Sequence, residues 1–145
     1  MISESHCPVA VINRLQQAWS AHDLDGFEAC LHADYESLHP NHPERNFRGR
    51  ASARLSWAAV FEAVPDLRAE LCHYAITNDV VWTEWRWRGT HLSGVSFEAQ
   101  GVMIFTIVDD LIVQAQVYTE TLETAGPDWD QILDDLLQDR SEHSL

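Results

Sequence analysis

The sequence has 145 residues, of which 46% are hydrophobic and 22% charged, enough for one domain with a proper core and too apolar for a disordered chain. Its 23 acidic and 9 basic side chains give a formal net charge of -14, which repels nucleic-acid backbones and anionic membrane surfaces. Every basic residue is an arginine, which excludes lysine Schiff-base chemistry, a lysine-held pyridoxal cofactor and a P-loop.

Cys7, Cys30 and Cys72 are odd in number and widely spaced, so they read as buried free thiols of a reducing compartment. No basic start followed by an apolar run marks a signal peptide, and no apolar stretch reaches membrane-spanning length. A cytoplasmic protein is the expectation. Nothing in the sequence calls for a cofactor.

Pro8 suits a first helical turn, and Val9, Ile12, Leu15 and Trp19 follow at helical spacing, predicting an amphipathic helix over 9–21. His22-Asp23 ends it. Asp25 is placed to cap a short second helix with Phe27 and Leu31 on its buried side. Residues 35–39 read as a short strand, after which Pro40, Asn41 and Pro43 force a loop. A third helix spans 50–63, with Leu55, Ala58, Ala59 and Glu62 on one flank and Trp57 and Phe61 on another; Pro65 stops it.

Residues 66–122 read as strands. Leu67, Ala69, Leu71 and His73 alternate with Arg68, Glu70 and Cys72, which places His73 on the apolar side. Over 80–88, Thr83, Trp85 and Trp87 alternate with Glu84, Arg86 and Arg88. A turn region at 89–94 precedes a strand over 97–108, and Asp109-Asp110 makes a tight hairpin turn into a last strand over 111–122. A final helix over about 127–139 carries Trp129, Ile132, Leu133, Leu136 and Leu137 on one face, to pack across the domain or a partner subunit. Helices first and an antiparallel meander after them predict an α+β fold with helices on one face of a curved sheet.

The segment Arg86-Trp87-Arg88-Gly89-Thr90-His91-Leu92-Ser93-Gly94, the hairpin GVMIFTIVDDLIVQAQVYTE and the order of elements resemble the nuclear transport factor 2-like superfamily, closest to its SnoaL-like polyketide cyclase group. The resemblance covers nearly the whole chain and implies a single domain over 1–145 shaped as a cone-like α+β barrel. It implies, position by position, that the group's strand histidine falls at Met103 and its acid/base aspartate at Val117, where limonene-type epoxide hydrolases also place a catalytic acid. The widespread terminal acid of the last strand falls at Glu120, and the hairpin glycine is replaced by Asp110.

Helices must cover the apolar sheet face, which predicts a deep aromatic cavity for a small apolar molecule. Its expected lining is Trp19, Trp57, Phe61, Trp85, Trp87, Met103, Phe105 and Val117, with Tyr35 nearby. Since neither Met103 nor Val117 can move a proton, the candidate base is His39 at the cavity mouth, with Tyr35 or Tyr118 as hydrogen-bond donor and Glu120 as a further acid. The HxxH spacing of His39 and His42, with Glu36 or Glu44, also fits a metal, but prolines deny it a helix and no metal is expected.

Three functions remain open at this point. One is a cyclase-, isomerase- or dehydratase-type enzyme working by proton transfer, and another a non-catalytic binder or dimeric accessory protein. The third is an epoxide-hydrolase-like enzyme using Glu84 and Arg86, which a β-bulge in their strand would turn inward. A homodimer through the outer sheet face, with Trp82, Glu84, Arg86 and Arg88, is expected.

Overall fold

The computed structural model describes residues 7–122 and 126–143, with side chains through residue 138. Helices α1 (Pro8–Ala21) and α2 (Leu24–Ala29) lead into strand β1 (Leu31–Leu38). A 3₁₀ turn at Pro43–Arg45 and the short strand β2 (Phe47–Arg48) precede helix α3 (Arg50–Ala63). Strands β3 (Arg68–Thr77), β4 (Val80–Thr90), β5 (Ser96–Val108) and β6 (Leu111–Thr121) form a meander, and α4 (Trp129–His143) follows. The six strands make one open, curved sheet in the order β2-β1-β6-β5-β4-β3, antiparallel except where β1 runs parallel to β6. This is the expected α+β cone, with the sheet left open instead of closed into a barrel.

Helix α1 buries Val11, Ile12, Leu15, Ala18 and Trp19, one stripe at helical spacing. It ends where His22 adopts a left-handed conformation, φ 54°, and its ring stacks on Phe61 at 4.2 Å. The His22 Nε2 atom meets the Leu67 carbonyl at 2.9 Å. Asp23, not Asp25, caps α2: Leu24 is already helical, so the side chain one residue earlier reaches the Gly26 N–H. Asp25 instead joins Glu28 in receiving Arg54 Nη1, at 2.7 and 2.9 Å, which ties α2 to α3. Leu31 is buried, but as the first residue of β1 and not on the helix.

The β4–β5 ladder runs without a break from Val80↔Thr106 to Thr90↔Ser96. Thr83, Trp85 and Trp87 therefore all face the helices and are buried, while Trp82, Glu84 and Arg88 face outward. In β3 the register shifts between Leu71 and His73, so Cys72 is an extra residue and His73 crosses to the outer face opposite Glu84, 3.5 Å away. The expectation of an inward His73 fails for that reason. Asp109 and Asp110 have φ of 54° and 60°, the two positive values of a type I′ hairpin, which aspartate tolerates in place of glycine. Gly101 is needed for close approach: a Cβ there would lie 2.3 Å from the Tyr118 carbonyl oxygen.

The core lies between α1, α3 and the concave sheet face. The apolar stripe of α4 is exposed, with Trp129, Leu133, Leu136 and Leu137 open to solvent. No helix among the described residues is long and apolar enough to cross a membrane.

Candidate active site

A cavity of about 380 Å³ opens between α3, β1 and the concave face of the sheet. Trp57 and Val60 of α3, Phe47 of β2, Trp87 of β4, Phe97 and Met103 of β5 and Val117 of β6 supply its apolar walls. Its polar lining comes from Tyr35, Ser37, His39, Arg45, Ser56 and Thr119. The alternation of β1 explains the first two, since residues two apart on a strand share a face, and His39 follows directly after the strand's last residue, Leu38.

These three side chains are linked. The Ser37 hydroxyl lies 3.1 Å from His39 Nε2 and also hydrogen-bonds the Tyr35 hydroxyl. Burial pushes the Tyr35 phenol up to about 12, with the Ser37 contact working against that rise. His39 is held below the ordinary histidine value, first by burial and then by the charges of Arg45 and His42, while Glu120 and Glu44 oppose the shift. Two proton arrangements fit the chain. If His39 Nε2–H donates to Ser37 and Ser37 donates to Tyr35, then His39 Nδ1 keeps a free lone pair and Tyr35 keeps a free O–H. The reverse direction consumes both. The first arrangement presents a base and a donor from one cavity wall.

Of the expected lining, Trp57, Trp87, Met103 and Val117 border the cavity, and Trp19, Phe61, Trp85 and Phe105 do not. The latter four are buried behind it. Trp19 joins this layer to the cavity wall, with ring centroids 4.8 Å from Trp85 behind the cavity and 4.7 and 5.8 Å from Trp57 and Trp87 in its wall. Trp85 Nε1–H donates to Thr83 Oγ1, which donates to the Met103 carbonyl, both at 2.6 Å. Bulky rings therefore fill part of the space that the sequence pattern left for a ligand. The indole N–H groups of Trp19 and Trp87 are buried without a hydrogen-bond partner among the described residues.

Tyr118 is exposed on the outer face, because Val117 and Thr119 on either side of it point into the cavity. Glu120 also lies outside the cavity lining. It accepts a hydrogen bond from His42 Nε2 and faces Arg45 Nη1 at 3.8 Å, so it fastens the loop after β1 to the end of β6. His42 Nδ1 lies 3.7 Å from Glu44. Glu84 and Arg86 border a separate outer groove with Cys72 and Gln100; no bulge in β4 turns them inward. Ser37 and Arg45 were not among the sequence candidates. Ser37 was within reach, since period two places it between Tyr35 and His39; Arg45 lies on an irregular turn that no periodicity describes.

The family model of the SnoaL-like domain matches residues 12–115. Solved structures share the fold at low identity. A protein assigned as a SnoaL-like polyketide cyclase from Jannaschia sp. CCS1 is 22% identical, with a TM-score of 0.68 over 83% of this chain and 90% of that one. AclR from Streptomyces galilaeus, assigned as a hydroxylase, is 17% identical, with a TM-score of 0.69 over 94% of each chain. A protein assigned as a ketosteroid isomerase from Kribbella flavida is 16% identical, with a TM-score of 0.64 over 83% of this chain and 82% of that one. A comparison with curated proteins found no match. With its helices, its curved sheet and its cavity in these places, the chain belongs to the SnoaL-like domain family.

Proposed function

We propose that the protein is a proton-transfer enzyme of the cyclase or isomerase type, acting on a small, mainly apolar carbonyl compound held in the aromatic cavity. The observation that carries this reading is the Tyr35–Ser37–His39 row along one cavity wall. His39 Nδ1 takes the acidic proton beside the carbonyl, and Tyr35 donates a hydrogen bond to the oxygen on which negative charge develops. With its pKa near 12, Tyr35 stays protonated at neutral pH and acts as donor, not base. A second copy of the chain packs against the outer sheet face in this reading.

Exchange of α-protons of 2-tetralone for deuterium, followed by NMR, tests the chemistry. The wild-type chain is expected to accelerate exchange over buffer, and His39→Gln to lose at least about tenfold of that acceleration. The second reading is a non-catalytic binder, which Met103 and Val117 favour, since both line the cavity where the family's polar groups would stand. Binding of 2-tetralone with no acceleration of exchange would select that reading.

A further inference from the structure

Arg45 is the one guanidinium of the cavity lining among the described residues. It stands on the Pro43–Arg45 turn at the cavity mouth, half exposed. Its nearest carboxylate oxygen, Glu120 Oε2, is 3.8 Å away, longer than a hydrogen bond, while the other Glu120 oxygen is taken by His42. A guanidinium has five N–H donors in a fork that grips two oxygens at once. The walls beyond it, including Phe47, Trp57, Trp87 and Phe97, are aromatic. A chain with net charge -14 repels anions in general, so a fork-shaped cation at the entrance to an apolar cavity is a local reversal of that field.

We infer that the cavity's ligand is a compact, mainly apolar ring compound bearing one oxygen anion, a carboxylate or an acidic enol, and that Arg45 holds this anion at the mouth. The inference rests on the reading of the cavity as a ligand site and narrows its substrate class. Burial of the ring body supplies most of the affinity; the anion fixes which end faces out. Glu120 competes with the ligand for the guanidinium, so it tunes the site without touching the ring.

Titration calorimetry of the full chain with 2-naphthoate and its uncharged counterpart 2-naphthamide tests this. The wild type is expected to bind the naphthoate about tenfold tighter than the amide. Arg45→Met, which keeps the side chain's length, is expected to abolish the preference for the naphthoate and make the two affinities equal. Glu120→Gln frees the guanidinium and is expected to tighten naphthoate binding severalfold in the presence of Arg45 and clearly less in the double variant with Arg45→Met, which separates the guanidinium contact from the mere loss of a negative charge. Circular dichroism shows whether each variant is folded, and Arg45→Gln takes the place of Arg45→Met if that variant is not. Equal affinities in the wild type, or a naphthoate preference that survives Arg45→Met, would overturn the anion anchor and leave the cavity reading standing. Failure of the wild type to bind either probe would overturn both.

Discussion

Tyr35 and Ser37 owe their joint position to the simplest rule of strand geometry and His39 follows directly after the strand, yet each lives in a different electrostatic setting. His39 is neutralised by burial and by the Arg45 and His42 charges, against the pull of Glu120 and Glu44. Its folded pKa is lowered relative to the unfolded value of about 6.5, so the unfolded chain binds the proton more readily. The sign follows: His39 is a free base at pH 7, and its protonation opposes folding as pH falls through the unfolded value. The proton-transfer rate is expected to be flat from neutral pH upward and to fall on the acid side with an inflection below the ordinary histidine value. Arg45→Met removes one lowering charge and is expected to move the His39 inflection up, as read from its ring-proton NMR shift. Glu120→Gln removes a raising charge and is expected to move it down. An inflection that stays put in both variants would mean that burial alone sets it. Ser37→Ala separates positioning from chemistry: the His39 ring loses its Nε2 partner, so exchange should slow while 2-tetralone affinity holds.

At the scale of elements, β4 is where the sequence was most legible, because Thr83, Trp85 and Trp87 alternate with charged residues and an unbroken ladder preserves that alternation. Strand β3 was less legible, since the extra residue at Cys72 leaves no mark in its composition and reverses the face of every residue after it. Strand β1 hid its first half for a similar reason: its pairing with β6 is irregular between Leu31 and Glu36, and the polar run of His32 and Asp34 shows no clean period. The candidate site inherits this unevenness. His39 and Tyr35 were readable from residue type and spacing, whereas the division of the tryptophans into wall and core depends on ring packing that only the third dimension decides. Thr83 is the polar pin of that packing, receiving Trp85 and donating to Met103. Thr83→Val keeps the shape and removes the hydroxyl, leaving the buried Trp85 indole N–H without its acceptor. It is expected to cost about 1–3 kcal/mol in denaturant unfolding. Thr83→Ser, which retains the hydroxyl, should cost less; the opposite order would show that the methyl group, not the hydrogen bonds, is what holds the site.

For the whole molecule, the outer sheet face poses the question of assembly. The ladder aligns Trp82 with Ile104 and Gln116, Glu84 with Val102 and Tyr118, and Arg86 with Gln100 and Glu120. Trp82 is 50% exposed and Tyr118 37% exposed, so aromatic surface sits directly beside opposite charges. A two-fold axis through such a face would allow Glu84 of one copy to meet Arg86 of the other and repeat the contact in reverse, the self-complementarity that an isologous dimer requires. The net charge of -14 on each copy works against this pairing at long range, where salt screens it, while apolar burial at the face is unaffected by screening. A homodimer is therefore expected that tightens as salt is raised from about 0.02 to 0.15 M, over which the screening length shrinks from roughly 20 to 8 Å. Trp82→Glu places a like charge beside Glu84 on both copies and is expected to yield a monomer with an unchanged circular dichroism spectrum. Sedimentation equilibrium over micromolar concentrations checks both. A wild-type monomer at every salt concentration would remove the dimer. A dimer that persists in Trp82→Glu would move the contact away from the sheet, to a surface such as the exposed apolar stripe of Trp129, Leu133, Leu136 and Leu137 on α4.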